Sequence, residues 1–400
     1  MVILDRILTI RLKELMAPTA EDTPMIFLSG PRQAGKTHLV RQLCDSYFNW
    51  DTPEVRKSFL KDPYFFRSEK KWHVFDEVHK RRDWKKLLKG YYDSPERKES
   101  FLVTGSGRLD TYQKGGDSLQ GRYDSYHLWP ITYDEVTGIE KNFSLTHFSP
   151  RDWRNWTPQS RASPDLDLVR LGGFPAPLIA GSDQRLRKWC DLYIDRLVRE
   201  DVRDFSAVEL LDKLELLARL LPTRIMSPLS VKSLCEDLDV SPVAVNSWLK
   251  LLNTLYFSFS LKPHHRSVAR AVKKEQKYYF YQWAFCEDAA SRFENYLAVQ
   301  LGAYCSWLSD LGHGRHELCY LRDQDRREID FVIVKDLKPI ALFEAKLSEQ
   351  AWPASLHYYA DRFGIPTFLV CQTAKTKRVG EGKWTLDSAH LLSGLMTGQH

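Results

Sequence analysis

Gly30-Pro31-Arg32-Gln33-Ala34-Gly35-Lys36-Thr37 follows directly on the apolar run Met25-Ile26-Phe27-Leu28, a strand that turns through glycine-rich backbone into a helix. That turn is the P-loop pattern, and it belongs in an α/β sheet. Gly30 and Gly35 let successive N–H groups point inward at an anion, where side chains would block the approach. Lys36 supplies a point charge for the β and γ phosphates and Thr37 a hydroxyl for Mg²⁺. A helix from about Lys36 to Leu43 aims its positive N-terminus at the same anion. Gly30, Pro31, Arg32, Gln33, Ala34, Gly35, Lys36, Thr37 and His38 are therefore the expected contacts of ATP.

Hydrolysis needs one carboxylate to hold Mg²⁺ and a second to orient the attacking water. Asp76 and Glu77 end the short segment Trp72-His73-Val74-Phe75-Asp76-Glu77, whose C-terminal end belongs beside the P-loop in a parallel sheet. His73 interrupts that segment, so the strand reads as weak. A further apolar run, Phe101-Leu102-Val103, ends in Thr104-Gly105-Ser106 and places Thr104 or Ser106 between the carboxylates and the γ-phosphate, Ser106 being favoured. Arg108 and Arg122 are candidates for a finger that reaches a neighbouring subunit's nucleotide, with Arg122 preferred.

At 400 residues the chain exceeds what one hydrophobic core serves, and two to four domains are expected. No apolar run approaches membrane-spanning length, and Met1 to Met16 reads as an amphipathic helix, not a signal peptide, so no membrane partner and a cytoplasmic location are expected. Cys44, Cys190, Cys235, Cys286, Cys305, Cys319 and Cys371 show no metal spacing and read as free thiols. The net charge of +6 is mild, but its distribution is not even. Lys262, Arg266, Arg270, Lys273, Lys274 and Lys277 form a basic ribbon opposed only by Glu275.

The ribbon follows a helix-turn-helix pattern: Val231 to Leu238, the turn Asp239-Val240-Ser241-Pro242, and Val243 to Leu252. Ser241 suits an N-cap and Pro242 a first helical turn. Val245, Trp248, Leu249 and Leu252 recur at helical spacing, which leaves Asn246, Ser247 and Lys250 outward. Tyr256 to Leu261 and Lys277 to Tyr281 read as two strands flanking the ribbon, a winged-helix pattern with a positive wing. Lys250, Lys262, Arg266, Arg270, Lys273 and Lys274 are the expected phosphate contacts, and such binding of duplex or branched DNA is largely independent of sequence.

Taken with Asp76-Glu77-Val78-His79-Lys80, Thr104-Gly105-Ser106, Leu119-Gln120-Gly121-Arg122 and Gly172-Gly173-Phe174-Pro175, the chain resembles the prokaryotic AAA+ ATPases that carry a C-terminal domain of unknown function with a restriction-endonuclease-like core. The resemblance spans nearly the whole chain, although Gly107 stands where a second serine commonly follows Thr-Gly-Ser. It implies an α/β protein with a P-loop AAA+ core over residues 1–149, a helical lid over 150–205, a winged helix with a basic wing over 206–285 and a restriction-endonuclease-like domain over 286–400. It also implies a homo-oligomeric ring, expected as a hexamer. In the nuclease pattern, Asp330 and Glu344 would bind Mg²⁺ while Lys346 orients water, and Glu294 would add an acidic ligand. Glu344 and Lys346, two apart on a strand, share one face. A nuclease-like scaffold that holds DNA or a partner without cutting is the alternative. The expected function is an ATP-driven motor that remodels or translocates on DNA, branch migration included. The alternatives are an ATP-regulated Mg²⁺-dependent nuclease in defence or repair, and a nucleotide-controlled protein-binding switch.

Overall fold

The computed structural model describes residues 6–15, 24–67, 72–95, 97–105, 119, 121–138, 166–202, 210–264 and 275–396. They fall into two compact units, Met1–Trp129 with Thr254–Tyr256, and Pro130–Asn253 with Phe257–His400.

In the first unit, β1 (Met25–Ser29), β2 (Ser46–Asn49), β3 (Trp72–Asp76), β4 (Ser100–Thr104) and β5 (Asp124–His127) form one sheet in the order β2-β3-β4-β1-β5. Every pairing is parallel. Parallel strands are covered on both faces and read as near-continuous apolar runs, and β1 and β4 are buried along their full length. Phe27, Phe59, Phe66, Phe75, Trp84, Tyr91 and Phe101 fill the core of the unit. His73 does not weaken β3 as the sequence suggests. It is buried, with its ring 5.3 Å from that of Phe66 and 6.0 Å from that of Phe48, so it packs as an aromatic side chain.

The register levels the strand ends. Leu28 lies opposite Thr104, Thr104 opposite Asp76, and Asp76 opposite Asn49. The residues that leave the C-terminal ends of β1, β4 and β3 therefore emerge side by side.

The second unit begins with a helical part: Leu166–Leu171, Pro175–Ala180, Asp183–Arg196, Leu211–Leu220, Val231–Leu238 and Pro242–Thr254. The Ser230 and Ser241 hydroxyls cap the last two by accepting from the N–H groups of Ser233 (3.3 Å) and Ala244 (3.2 Å). Val245, Trp248, Leu249 and Leu252 are buried, and Asn246, Ser247 and Lys250 are exposed. β6 (Ser258–Leu261) and β7 (Lys277–Phe280) then pair antiparallel.

The remaining strands, β8 (His316–Arg322), β9 (Glu328–Lys335), β10 (Lys338–Ser348), β11 (Thr367–Thr373), β12 (Lys377–Gly380) and β13 (Lys383–Asp387), form a mixed sheet in the order β12-β13-β11-β10-β9-β8. The helix Ala289–Asp310, capped by the Asp288 side chain, packs on β8 and β10. Tyr320 of β8 ties the sheet to the β6–β7 hairpin. Its N–H donates to the Lys262 carbonyl at 3.2 Å, its carbonyl accepts from the His264 N–H at 2.7 Å, and its hydroxyl donates to the Glu275 carbonyl at 2.7 Å.

Gly172-Gly173 owes its glycines to close packing. Gly172 has φ +84°, and a Cβ there would lie 1.6 Å from Gln282 Oε1; a Cβ on Gly173 would lie 2.6 Å from the Ile131 carbonyl oxygen. Against them, Gln282 Nε2 donates to the Leu171 carbonyl at 3.2 Å and Trp283 Nε1 to the Leu168 carbonyl at 3.0 Å. Gly172→Ala is expected to lower stability by about 1–3 kcal/mol from backbone strain alone, with the clash added. In thermal melts, adding Gln282→Ala should recover the clash component and leave the strain.

Candidate functional site

The P-loop leaves β1 at Ser29 and enters the helix Lys36–Arg41 through Gly35, whose φ of +101° needs glycine. Gly30 has φ +148° and passes so close to β5 that a Cβ would sit 2.2 Å from the Leu128 carbonyl oxygen. Ala34 is buried at the crest of the loop, and its carbonyl accepts from Arg6 Nη1 at 2.9 Å, while Arg6 Nη2 donates to the Trp129 carbonyl at 2.5 Å. Lys36 is buried, and its Nζ donates to the carbonyls of Gly30 and Pro31, both at 2.8 Å. The His38 ring pairs with Gln42 Nε2 at 2.9 Å, one helical turn further on.

Asp76, at the end of β3, gathers three hydroxyls. Its Oδ2 accepts from Thr37 Oγ1 at 3.2 Å and from the Tyr47 hydroxyl, and its Oδ1 accepts from Thr104 Oγ1. Burial and the bond to Asp76 push the Tyr47 phenol up to about 12, so it stays a proton donor at neutral pH. Glu77 follows with φ +58°, and its N–H donates to the Thr104 carbonyl at 3.1 Å. Its carboxylate lies 3.6 Å from both His79 Nε2 and Lys80 Nζ. Burial, opposed by Lys80, holds the Glu77 carboxyl above the ordinary range.

Lys36 at the P-loop and the joined oxygens of Thr37 and Asp76 lie at the C-terminal end of the sheet. These are the donor types that a triphosphate and Mg²⁺ require, and the set fits both.

Residues 22–137 match the family model described as an AAA domain. This region is thus similar to an AAA domain. Two domains of unknown function match the rest, DUF8612 over residues 166–295 and DUF4143 over residues 291–391. The former runs unbroken through residues 205 and 206, where the lid is expected to give way to the winged helix. Uncharacterized proteins of Mycobacterium bovis and Mycobacterium tuberculosis are each 24% identical over 262 residues, covering 64% of this chain and 54% of theirs. The chain thus spans about half the length of the curated relatives it matches. Among solved structures, the Bacillus subtilis DNA clamp loader delta protein is 12% identical over 62% of this chain and 88% of its own, at a TM-score of 0.28. A signal-transduction ATPase with a tetratricopeptide repeat sensor from Pyrococcus horikoshii is also 12% identical, over 77% of this chain and 48% of its own, at 0.22. Both scores are too low to define a shared fold.

Beyond the AAA domain's nucleotide locus, Arg122 holds Asp93 with its Nε at 2.7 Å and its Nη2 at 3.2 Å. Ser106, Arg108, Arg266, Arg270, Lys273 and Lys274 lie outside the described residues, whereas Lys250 and Lys262 are exposed. Among the described residues, no helix is long and apolar enough to cross a membrane.

A second cluster is buried in the other unit. Asp330 comes from β9, Glu344 and Lys346 from β10, and Glu294 from the helix Ala289–Asp310. Lys277, counted with the basic ribbon on sequence grounds, is not on the wing surface. It is fully buried, with its Nζ 2.6 Å from Glu328, 3.3 Å from Asp330 and 3.6 Å from Glu294. Asp330 Oδ2 accepts from the Ala345 N–H at 3.0 Å, Glu344 Oε1 from Lys346 Nζ at 2.7 Å, and Glu294 Oε1 from the Tyr279 hydroxyl at 2.7 Å. Burial foremost, with the charge of Asp330, keeps the Glu294 and Glu344 carboxyls above their ordinary range. Asp330 and Glu344 thus meet as expected, but with their oxygens engaged by protein donors. Among the described residues, no group of three or more His, Cys, Asp and Glu could hold a metal ion. Two ammonium groups, Lys277 and Lys346, face the carboxylates that the nuclease pattern assigns to Mg²⁺.

Three residues escaped the sequence reading: Arg6 behind the P-loop, Tyr47 on Asp76, and Lys277 in the acidic cluster. For Lys277 a signal existed, because strand alternation puts it on the same face as Tyr279, which is itself buried. For the nucleotide site, Thr104→Val removes the hydroxyl on Asp76 without changing shape. ATP turnover by the AAA domain is expected to fall about tenfold or more, as loss of a hydrogen bond to a charged group implies, with the melting temperature little changed. Steady-state phosphate release measures this.

Proposed function

We propose that the chain hydrolyses ATP at residues 30–37 and uses the cycle to remodel or translocate on DNA held by a winged helix. The convergence of Thr37, Thr104 and Asp76 beside Lys36 supports the hydrolytic half. In this reading Lys36 exchanges the Gly30 and Pro31 carbonyls for the β and γ phosphates. Thr37 and Asp76 hold Mg²⁺, which neutralises charge on the phosphates. Tyr47 and Thr104 keep the Asp76 carboxylate aimed, and Glu77 orients water and takes its proton. Arg122, released from Asp93, serves a neighbouring subunit's nucleotide in a homo-oligomeric ring, a hexamer in the AAA+ manner.

For DNA, the reading rests on the helix pair Val231–Leu238 and Pro242–Thr254 followed by the β6–β7 hairpin, with Lys250 and Lys262 exposed. With the basic stretch between β6 and β7, that is the order of a winged helix, whose wing and helix ends take duplex or branched DNA by its phosphates. The sheet of β8 to β13 is a restriction-endonuclease-like scaffold in this reading. A second reading, a nucleotide-controlled switch that binds a protein, draws on Val243. That residue is 79% exposed on the second helix, where an apolar surface suits a protein better than a phosphate.

The two readings separate in steady-state ATP hydrolysis measured without DNA and with single strands, duplex and a four-way junction at two salt concentrations. Lys36→Ala is expected to abolish nucleotide binding, and Glu77→Gln to retain binding while turnover falls about 100-fold or more. A DNA motor gives stimulation that weakens with salt. Hydrolysis indifferent to every DNA, with no salt-sensitive binding, removes the motor and leaves the switch. Because Glu77 is held above the ordinary carboxyl range, acidification should protonate it early, so that turnover falls at a higher pH than a solvated glutamate would give. A pH profile of turnover beside one of nucleotide binding checks the sign.

A further inference from the structure

The Asp330–Glu344 pair is surrounded by the residue types that in a nuclease would hold a divalent ion, yet a side chain already stands among them. Lys277 is the first residue of β7 and enters the cluster from the hairpin, not from the strands that carry Asp330 and Glu344. Its ammonium has three hydrogens, and the carboxylates of Glu328, Asp330 and Glu294 face it at 2.6, 3.3 and 3.6 Å. The oxygens of Asp330 and Glu344 that do not face Lys277 are also taken. Asp330 Oδ2 accepts from the Ala345 N–H, Glu344 Oε1 from Lys346, and Glu344 Oε2 from the Asp330 N–H at 3.4 Å.

We propose that the Lys277 ammonium is the resident cation of this site, so that the wild-type cluster takes no divalent ion and the β8–β13 sheet cuts no phosphodiester. Mg²⁺ demands near-octahedral oxygen ligands and gives up its waters reluctantly. To enter, it would have to draw Asp330 and Glu294 away from Lys277 and leave a buried ammonium facing Glu328 alone. The cluster is instead a closed charge network that fixes β7 to β9 and to the helix Ala289–Asp310. Lys346, which the nuclease pattern assigns to water, is occupied in neutralising Glu344. The cluster shares no residue with the P-loop, Asp76 or Glu77.

Mn²⁺ is the probe, with uptake by the full-length, nucleotide-free chain followed through the free-ion electron paramagnetic resonance signal. Wild type and Asp330→Asn are expected to take up Mn²⁺ equally. Lys277→Ala, shown folded by circular dichroism, is expected to gain about one Mn²⁺ per chain, as its emptied carboxylates allow, and to melt higher with Mn²⁺ than without. The double variant Lys277→Ala/Asp330→Asn should lose that gain. Mn²⁺ uptake by wild type that Asp330→Asn removes would overturn the proposal, as would a folded Lys277→Ala with no gain. If Lys277→Ala does not fold, the comparison of wild type with Asp330→Asn decides alone: equal uptake supports the resident ammonium, and greater uptake by wild type sinks it.

Discussion

The parallel register of β3, β4 and β1 is the constraint on which the candidate nucleotide site depends. Because Leu28, Thr104 and Asp76 stand level, the P-loop, the Thr104 hydroxyl and the Asp76 carboxylate leave the sheet at one height. A slip of one residue would turn Asp76 to the opposite face and separate it from Thr37. The buried aromatic packing of the unit, His73 included, fixes that register from within the core. The chemistry of the AAA domain is in this sense set by its hydrophobic core.

In the second unit the corresponding constraint is electrostatic. A buried ion cluster contributes little net stability, since desolvation offsets most of the attraction, but breaking one partner is costly. Lys277 therefore specifies where β7 sits more than it strengthens the fold. Tyr320 makes a second tie with its backbone bonds to Lys262 and His264 and its hydroxyl on Glu275. The hairpin is held to the sheet by two unlike interactions, one ionic and one largely backbone, which respond differently to salt and pH.

Much of this was legible in the chain. Glycine spacing and a following Lys-Thr announce a phosphate cradle because few other structures need those residues in that order, and Ser241 with Pro242 marks a helix start for reasons of local backbone geometry alone. Strand alternation put Glu344 and Lys346 on one face, and the resemblance to the nuclease pattern added Asp330 to them. What failed depends on contacts remote in sequence. His73 looked like a flaw in a strand because an imidazole buried among phenyl rings is invisible until Phe48 and Phe66 are in place. Lys277 looked like a surface charge because its neighbours in sequence are basic, whereas its carboxylate partners lie at residues 294, 328 and 330. Thr104 could be weighed only against Ser106 until the register showed it opposite Asp76.

The approach of Gly30 to the Leu128 carbonyl bears on how such a motif decays. Sheet packing alone forbids a side chain there, whether or not a nucleotide ever binds. In a lineage that abandoned ATP, selection for a folded sheet would still preserve this glycine, while Lys36 and Thr37 would be free to drift. Those two positions, not the glycine, record whether the site is alive.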